Sequence, residues 1–314
     1  MLRRLRKLLA HPAFRAEPAA VMLRAIAWSA CVAMRRSPVF CLTSGGERLR
    51  LPADLRYTSV TSFILRDWTE PELRELSQFV QPGEVFIDVG ANVGLYTLKA
   101  ARLVGARGMV VAIEPGQISA DRLEQNLALN DFANVRIVRA ALAEKIGTAA
   151  LYHVALGDDP QAFSLLTDGS TTEAETVATT TLDTVVEALD LPRVDCLKID
   201  VEGAEPLVLA GGRATLERWH PTVIFEVNAP LSLKSSSGRE AAWRLLETFG
   251  YRFYRLDAGS LAPLDRMPHE FGNLIAICPA RSPAEPAEPL NGPAARRPAA
   301  AAPADLAAAV PPVR

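Results

Sequence analysis

Residues Val85-Phe86-Ile87-Asp88-Val89-Gly90-Ala91-Asn92-Val93-Gly94 constrain the fold more than any other stretch of this chain. A continuous apolar run closed by glycine is the pattern of a central parallel strand, which helices cover on both faces. Asp88 falls at the carboxyl end of that strand, where open α/β sheets bind their ligands. Gly90 and Gly94 permit a sharp turn and a close approach of backbone to ligand. The helix that follows, 95–103, starts with free N–H groups that face such a ligand. The run therefore predicts a site for a nucleotide-like cofactor.

Glycine spacing narrows the cofactor. A dinucleotide fingerprint requires G-x-G-x-x-G after the strand. Here three residues separate Gly90 from Gly94, and Asn92 stands where an inner glycine would be. Asp88-x-Gly90-x-Asn92-x-Gly94 instead resembles the acidic-x-Gly-x-Gly-x-Gly turn of class I S-adenosylmethionine-dependent methyltransferases. Glu114 ends the next strand, Val110-Val111-Ala112-Ile113-Glu114, and a carboxylate there can accept both hydroxyls of a ribose.

Strands and helices alternate from this point. Core strands are expected at 85–89, 109–113, 135–139, 194–200 and 222–227, with helices near 119–129, 182–188, 206–219 and 239–249. Segments 148–153 and 176–180 bracket a polar loop, 157–175. Segments 251–256 and 273–278, joined by a non-helical link, predict an antiparallel edge hairpin. The pattern is an α/β, doubly wound, mostly parallel seven-stranded sheet. Ahead of it, 38–66 reads as short strands and turns, and Thr69 with Glu72 forms a capping-box pattern for a helix that ends before Pro82-Gly83.

The expected organisation is a basic amphipathic helical arm at 1–36, a small β-rich segment at 37–68, the α/β domain at 69–280 and a Pro/Ala-rich tail at 281–314. The tail's composition cannot offset its ordering entropy, so it is expected to be disordered. In the arm, Arg3, Arg4, Arg6, Lys7, Arg15, Arg24, Arg35 and Arg36 face the single acid Glu17, with Met22 and Ile26 at helical spacing. Packing on the domain or on a second subunit is the favoured role, and peripheral contact with an anionic membrane face is the rival. The 19–34 run is too short to span a bilayer and carries Arg24. A net charge of −2 gives no reason to expect nucleic acid. The four scattered cysteines lack zinc-ligand spacing, which suits a reducing cytoplasm.

A second constellation is Val194-Asp195-Cys196-Leu197-Lys198-Ile199-Asp200-Val201-Glu202-Gly203-Ala204-Glu205. A lysine in an apolar core strand needs a partner, because a buried unpaired ammonium is costly. Strand alternation puts Lys198, Asp200 and Glu202 on one side. Glu226 repeats the acidic strand end one strand over. His153 and His220, beside strand ends, are read as surface or capping residues, and Asn130 with Asn134 as helix-stop chemistry.

Taken in order, Asp88-Val-Gly-Ala-Asn-Val-Gly-Leu-Tyr-Thr97, Ile113-Glu114-Pro115, Thr181-Leu182-Asp183, Leu197-Lys-Ile-Asp-Val-Glu-Gly-Ala-Glu205 and Phe225-Glu226 resemble the FkbM-type methyltransferase family. The resemblance covers about 70–280. It implies a class I fold, S-adenosylmethionine, and O-methylation of hydroxyls on sugars of surface glycans or polyketide-type natural products. Asp88, Gly90, Asn92 and Gly94 would then frame the methionine end of the cofactor, Glu114 its ribose, and Ala141 and Leu142 its adenine. Asp200 is the first candidate for base or acceptor-orienting group, Lys198 would position it or neutralise charge, and Glu202 and Glu226 would assist. A divalent metal on Asp200, Glu202 or Glu226 is not favoured, for want of a full ligand set. The loop 157–175 and the segment before residue 70 are expected to shape the acceptor pocket. The rival readings are a non-catalytic cofactor-binding scaffold in a glycan-building complex and an NAD(P)-dependent oxidoreductase.

Overall fold

A computed structural model describes residues 8–156, 159–166, 174–227 and 240–280. The expected disordered tail, residues 1–7 of the arm, and 157–158 and 167–173 of the acceptor loop lie outside the described residues. In chain order the strands are β1 (Val39–Cys41), β2 (Arg48–Arg50), β3 (Val85–Val89), β4 (Met109–Ile113), β5 (Val135–Val138), β6 (Ala141–Leu142) and β7 (Gly147–Leu156). They continue with β8 (Asp159–Ser164), β9 (Ala174–Thr180), β10 (Cys196–Ile199), β11 (Thr222–Val227), β12 (Arg252–Asp257), β13 (Ser260–Leu264) and β14 (Gly272–Ile277). The helices are α1 (Pro12–Ala16), α2 (Pro18–Ala33), α3 (Tyr57–Leu65), α4 (Pro71–Arg74), α5 (Leu95–Val104), α6 (Gln117–Ala128), α7 (Leu182–Ala188), α8 (Glu205–Ala210), α9 (Arg213–Trp219) and α10 (Ala241–Thr248).

The main sheet has the order β13-β12-β14-β11-β10-β3-β4-β5. Strands β5, β4, β3, β10 and β11 run parallel, and β14, β12 and β13 join antiparallel. Strand order reverses between β3 and β10, so the carboxyl ends of these two strands flank the switch point. The seven expected strands are all present. An eighth, β13, forms inside the non-helical link and takes the edge.

Period-2 alternation divides the core into two faces. Val85, Ile87, Val111, Leu197, Val223 and Phe225 pack with Leu182, Val185, Leu209, Leu216 and Trp243 of α7 to α10. Phe86, Val110, Cys196, Ile224 and Ile275 pack on the opposite side with Leu73, Leu76, Tyr96 and Val104. That double cover is why β3, β10 and β11 are buried at every position. Lys198 belongs to the second face and is 0% exposed.

Several local expectations change. The polar-loop region is a four-stranded sheet of order β6-β9-β7-β8, with β8 lying inside 157–175. The single helix expected over 206–219 divides into α8 and α9 at Gly211-Gly212. A Cβ on Gly211 would lie 2.2 Å from the Ala143 carbonyl, so close packing breaks the helix there. Thr69 and Glu72 do not form a capping box: Thr69 Oγ1 donates to the Arg66 carbonyl, Glu70 takes the N-cap position of α4 without a side-chain capping bond, and Glu72 is buried. Within 38–66, β1 and β2 form a hairpin, but Tyr57–Leu65 is helical. Asn130 clasps β2 by exchanging hydrogen bonds with Arg48, and Asn134 donates to the carbonyls of Ala101 and Gly105.

The arm packs on the 37–65 segment. Val21 and Trp28 of α2 are buried with Phe40, Leu49 and Phe63, and Trp28 Nε1 donates to the Asp54 carbonyl at 2.9 Å. Met22 and Ile26, the row read from spacing, instead face outward at 41% and 63% exposure. Among the described residues no helix is long and apolar enough to cross a membrane.

Gly90 joins the strands that build the switch point. Its φ is +82°, and a Cβ would lie 2.0 Å from the Asp200 carbonyl oxygen. Gly250 has a similar φ of +79° with no atom within 4 Å. In denaturant unfolding, Gly250→Ala should cost about 1–2 kcal/mol, the left-handed penalty alone. Gly90→Ala should cost roughly 3–5 kcal/mol, because backbone must also move. Equal costs would show that the close approach relaxes freely.

Candidate functional site

A cleft of about 810 Å³ opens at the carboxyl ends of β3, β4, β10 and β11. Asp88, Gly90, Asn92, Glu114, Lys198, Asp200, Glu202 and Glu226 line it, so eight of the eleven expected site residues share one cavity. Gly94 lies just behind as the residue before α5, at φ +98°. A Cβ on Gly94 would meet Leu123 Cδ1 at 2.6 Å, and one on Gly90 the Asp200 backbone. Both glycines thus answer protein neighbours rather than a ligand alone. Ala141 and Leu142 lie outside the main cleft. They line a smaller apolar recess of about 30 Å³ with Ile113, Leu165 and Ala204, and it shares Gly90, Pro115 and Val201 with the cleft.

The turn after β3 is held from below. Asp88 is 3% exposed and accepts from Thr97 Oγ1 at 2.5 Å. Burial pushes its carboxyl up to about 6, partly offset by that hydrogen bond and by Lys198. Glu114 is 4% exposed, and its two oxygens accept from the Asn92 and Gly116 N–H groups, each at 2.8 Å. Burial raises it to about 7 against those bonds. Each oxygen retains a lone pair for a further donor. Asn92, at φ +49°, keeps a buried Oδ1 with no hydrogen-bond partner. A ligand with a donor group would satisfy it.

Lys198 organises the other half. Its Nζ donates to Asp200 Oδ2 at 3.0 Å and Asn273 Oδ1 at 3.2 Å, and lies 5.0 Å from the centre of the Tyr96 ring. Burial works against the ammonium, but Asp200 and Glu70 beside it push it above the ordinary lysine value. Glu70 accepts from the Tyr96 hydroxyl at 2.6 Å and from Asn273 Nδ2 at 2.9 Å, and Asn273 Nδ2 also reaches Glu72 at 3.3 Å. Glu70, Glu72, Tyr96 and Asn273 were not expected at the site from the sequence. Tyr96 lies inside the Gly94-Leu95-Tyr96-Thr97 run and Glu72 carried only a capping signal; Glu70, Glu72 and Asn273 reach the site through tertiary contacts from the start of α4 and the antiparallel strand β14.

Beyond β10 the chain turns through Glu202 (φ +53°) and Gly203 (φ +100°). Glu205 fastens the turn: its Oε1 accepts from the N–H groups of Val201 and Gly203 at 3.2 and 3.1 Å. Asp200, Glu202 and Glu226 converge, with an oxygen of each within 4.8 Å of the others. Glu226 is 8% exposed and is held well above the ordinary carboxylate value by burial and by repulsion from Asp200 and Glu202. His220 caps α9 in the left-handed conformation. The side chain of His153 is outside the described residues.

A Methyltransferase FkbM domain model matches residues 88–253, more than half of the chain. The chain is 29% identical over 181 residues to the methyltransferase sdnD of Sordaria araneosa, covering 46% of this chain and 70% of that protein. It is 29% identical over 164 residues to the hexuronic acid methyltransferase AglP of Haloferax volcanii, covering 52% of this chain and 63% of that protein. A crystal structure of methyltransferase FkbM from Methylobacillus flagellatus aligns at 14% identity and a TM-score of 0.41, over 82% of this chain and 59% of that one.

Glu205 gives the site a measurable pH signature. Burial raises its folded carboxyl from 4.5 to about 7. The unfolded chain therefore releases this proton first, and stability is lost as pH rises from about 4.5 to about 7. Glu205→Gln keeps an oxygen for both N–H groups and removes the titration. Relative to that variant, the wild-type protein should lose on the order of 3 kcal/mol across this window and then level off. A flat difference in unfolding free energy would show that Glu205 does not titrate there.

Proposed function

The chain belongs to the FkbM methyltransferase family, and from that premise we propose that it moves a methyl group from S-adenosylmethionine to a hydroxyl of an acceptor, a sugar or glycan in the first instance. What supports the reading most is the meeting of two half-sites. The glycine turn after β3 touches the end of β10, so the Asp88–Glu114 side and the Asp200–Glu226 side open on one cleft.

S-adenosylmethionine supplies a methyl group already activated by its sulfonium, and its transfer requires an oxygen lone pair in line with the C–S bond that breaks. The residues present suit that cofactor. Asn92 offers an unsatisfied Oδ1, and Glu114 has lone pairs for ribose hydroxyls. Seven acids against Lys198 and Arg255 line the cleft, a balance that suits a ligand carrying an ammonium and a sulfonium. Asp88, tied to Thr97, backs the turn, and Ala141 and Leu142 offer an apolar wall for the adenine.

On the acceptor side, Asp200 is half-exposed at the cleft and fixed by Lys198. It orients the acceptor hydroxyl and takes its proton as the O–C bond forms. Lys198 holds that carboxylate in place and offsets the charge of its neighbours. A sugar acceptor is supported by the name of one relative, a hexuronic acid methyltransferase. A polyketide-type acceptor is the second candidate, carried over from the family resemblance.

Calorimetric titration should show S-adenosylhomocysteine binding, and Glu114→Ala should weaken it by about 1.5–3 kcal/mol through loss of charge-assisted hydrogen bonds. Unchanged affinity would remove Glu114 from the ribose role. Asp200→Asn should retain cofactor affinity while transfer to a hydroxylated acceptor falls by on the order of 10²-fold. If Asp200 served only to balance Lys198, the variant would instead lose several kcal/mol of stability, the cost of an uncompensated buried charge.

A further inference from the structure

Three carboxylates from two neighbouring strand ends converge at the acceptor end of the cleft. Asp200 and Glu202 leave β10, Glu226 lies in β11, and one oxygen of each falls within 4.8 Å of the others. Acidic side chains often gather at a surface, but Glu226 is 92% buried, the complement of its 8% exposure. Its Oε2 is shielded and has no hydrogen-bond partner among the described residues. A buried carboxylate oxygen without a donor is costly, and Asp200, Glu202 and Glu205 all repel it. Lys198 does not meet the need, since its Nζ bonds are directed at Asp200 and Asn273.

The spacing suits one ion. Oxygen ligands lie about 2.0–2.6 Å from a hard divalent cation, so two of them stand at most about 5 Å apart. Carboxylates without sulfur or imidazole select Mg²⁺, Mn²⁺ or Ca²⁺ over softer metals. We propose that Asp200, Glu202 and Glu226 hold a divalent cation at the acceptor end of the cleft. The sequence offers the same three carboxylates without showing that they meet; the parallel pairing of β10 with β11 brings Glu226 across to the other two.

Three protein ligands leave coordination positions for water or for acceptor oxygens. Neighbouring hydroxyls of a sugar, or a carboxylate that the acidic cleft alone would repel, are the groups such an ion takes. A hydroxyl bound to such an ion would also lose its proton more readily, which eases the transfer of that proton to Asp200. That consequence rests on the methyl transfer proposed above, whereas binding of the ion does not.

The test uses the whole chain, stripped with chelator and titrated with Mn²⁺ while free Mn²⁺ is followed by electron paramagnetic resonance. One Mn²⁺ per chain is expected, and Glu226→Gln and Glu202→Gln should each weaken it by about tenfold or more. S-adenosylhomocysteine titration of the same variants checks folding and should stay within about threefold of wild type, since neither residue is assigned to the cofactor. If Glu226→Gln fails to fold, the half-exposed Glu202 decides the matter alone. No Mn²⁺ binding by the wild type, or equal binding by the folded variants, overturns the site. Mn²⁺ binding with no transfer to any acceptor would leave the ion and remove the activity. Full transfer by stripped protein that binds no Mn²⁺ would do the reverse.

Discussion

The buried ammonium of Lys198 is the constraint on which the rest of the site depends. A fully buried lysine would ordinarily shed its proton, because desolvation disfavours the charged form. Here Asp200 and Asn273 bond it, Glu70 adds its field, and a tyrosine ring lies beside it. These partners come from β10, β14, the start of α4 and α5, four parts of the chain far apart in sequence. Drawing them to one cation closes the end of the second core face and leaves the remaining carboxylates directed into the cleft. The cleft is acidic because one lysine is answered by more acids than it can neutralise.

The parallel half of the fold was legible because each of its strands is buried on both sides and reads as a short apolar block. Asp88, Glu114, Asp200 and Glu226 could be read for the same reason, as charges at the ends of such blocks. What escaped was set by contact rather than pattern. Glu72 carried a capping signal that its burial against Asn273 overrides. Strand β13 has too little apolar alternation to announce itself and forms because β12 offers it an edge. In α2, Met22 and Ile26 repeat at helical spacing, yet the inward stripe is the one carrying Trp28, whose ring and N–H both find partners. Two apolar stripes on one helix cannot be ranked by period alone.

Two of the seven non-glycine residues at positive φ among the described residues stand where the two halves of the site meet. Asn92 and Glu202 both adopt positive φ without being glycine, conformations that persist only where the surroundings enforce them. Glu114 holds the first through the Asn92 N–H, and Glu205 holds the turn that carries the second. Two buried acids outside the sheet thus act as staples for two strained turns, which separates the residues that shape the site from those that face its contents.

The contact of Gly90 with the Asp200 carbonyl has a further consequence for how such a site can diversify. The turn after β3 and the end of β10 are locked together by touching main chain, with no side chain between them to be exchanged. Their separation is therefore not a quantity that substitution can tune in small steps. Change is easier at the rim, where the small sheet of β6 to β9 and the antiparallel edge can lengthen, shorten or change side chains while the fixed gauge between the two strand ends stays as it is.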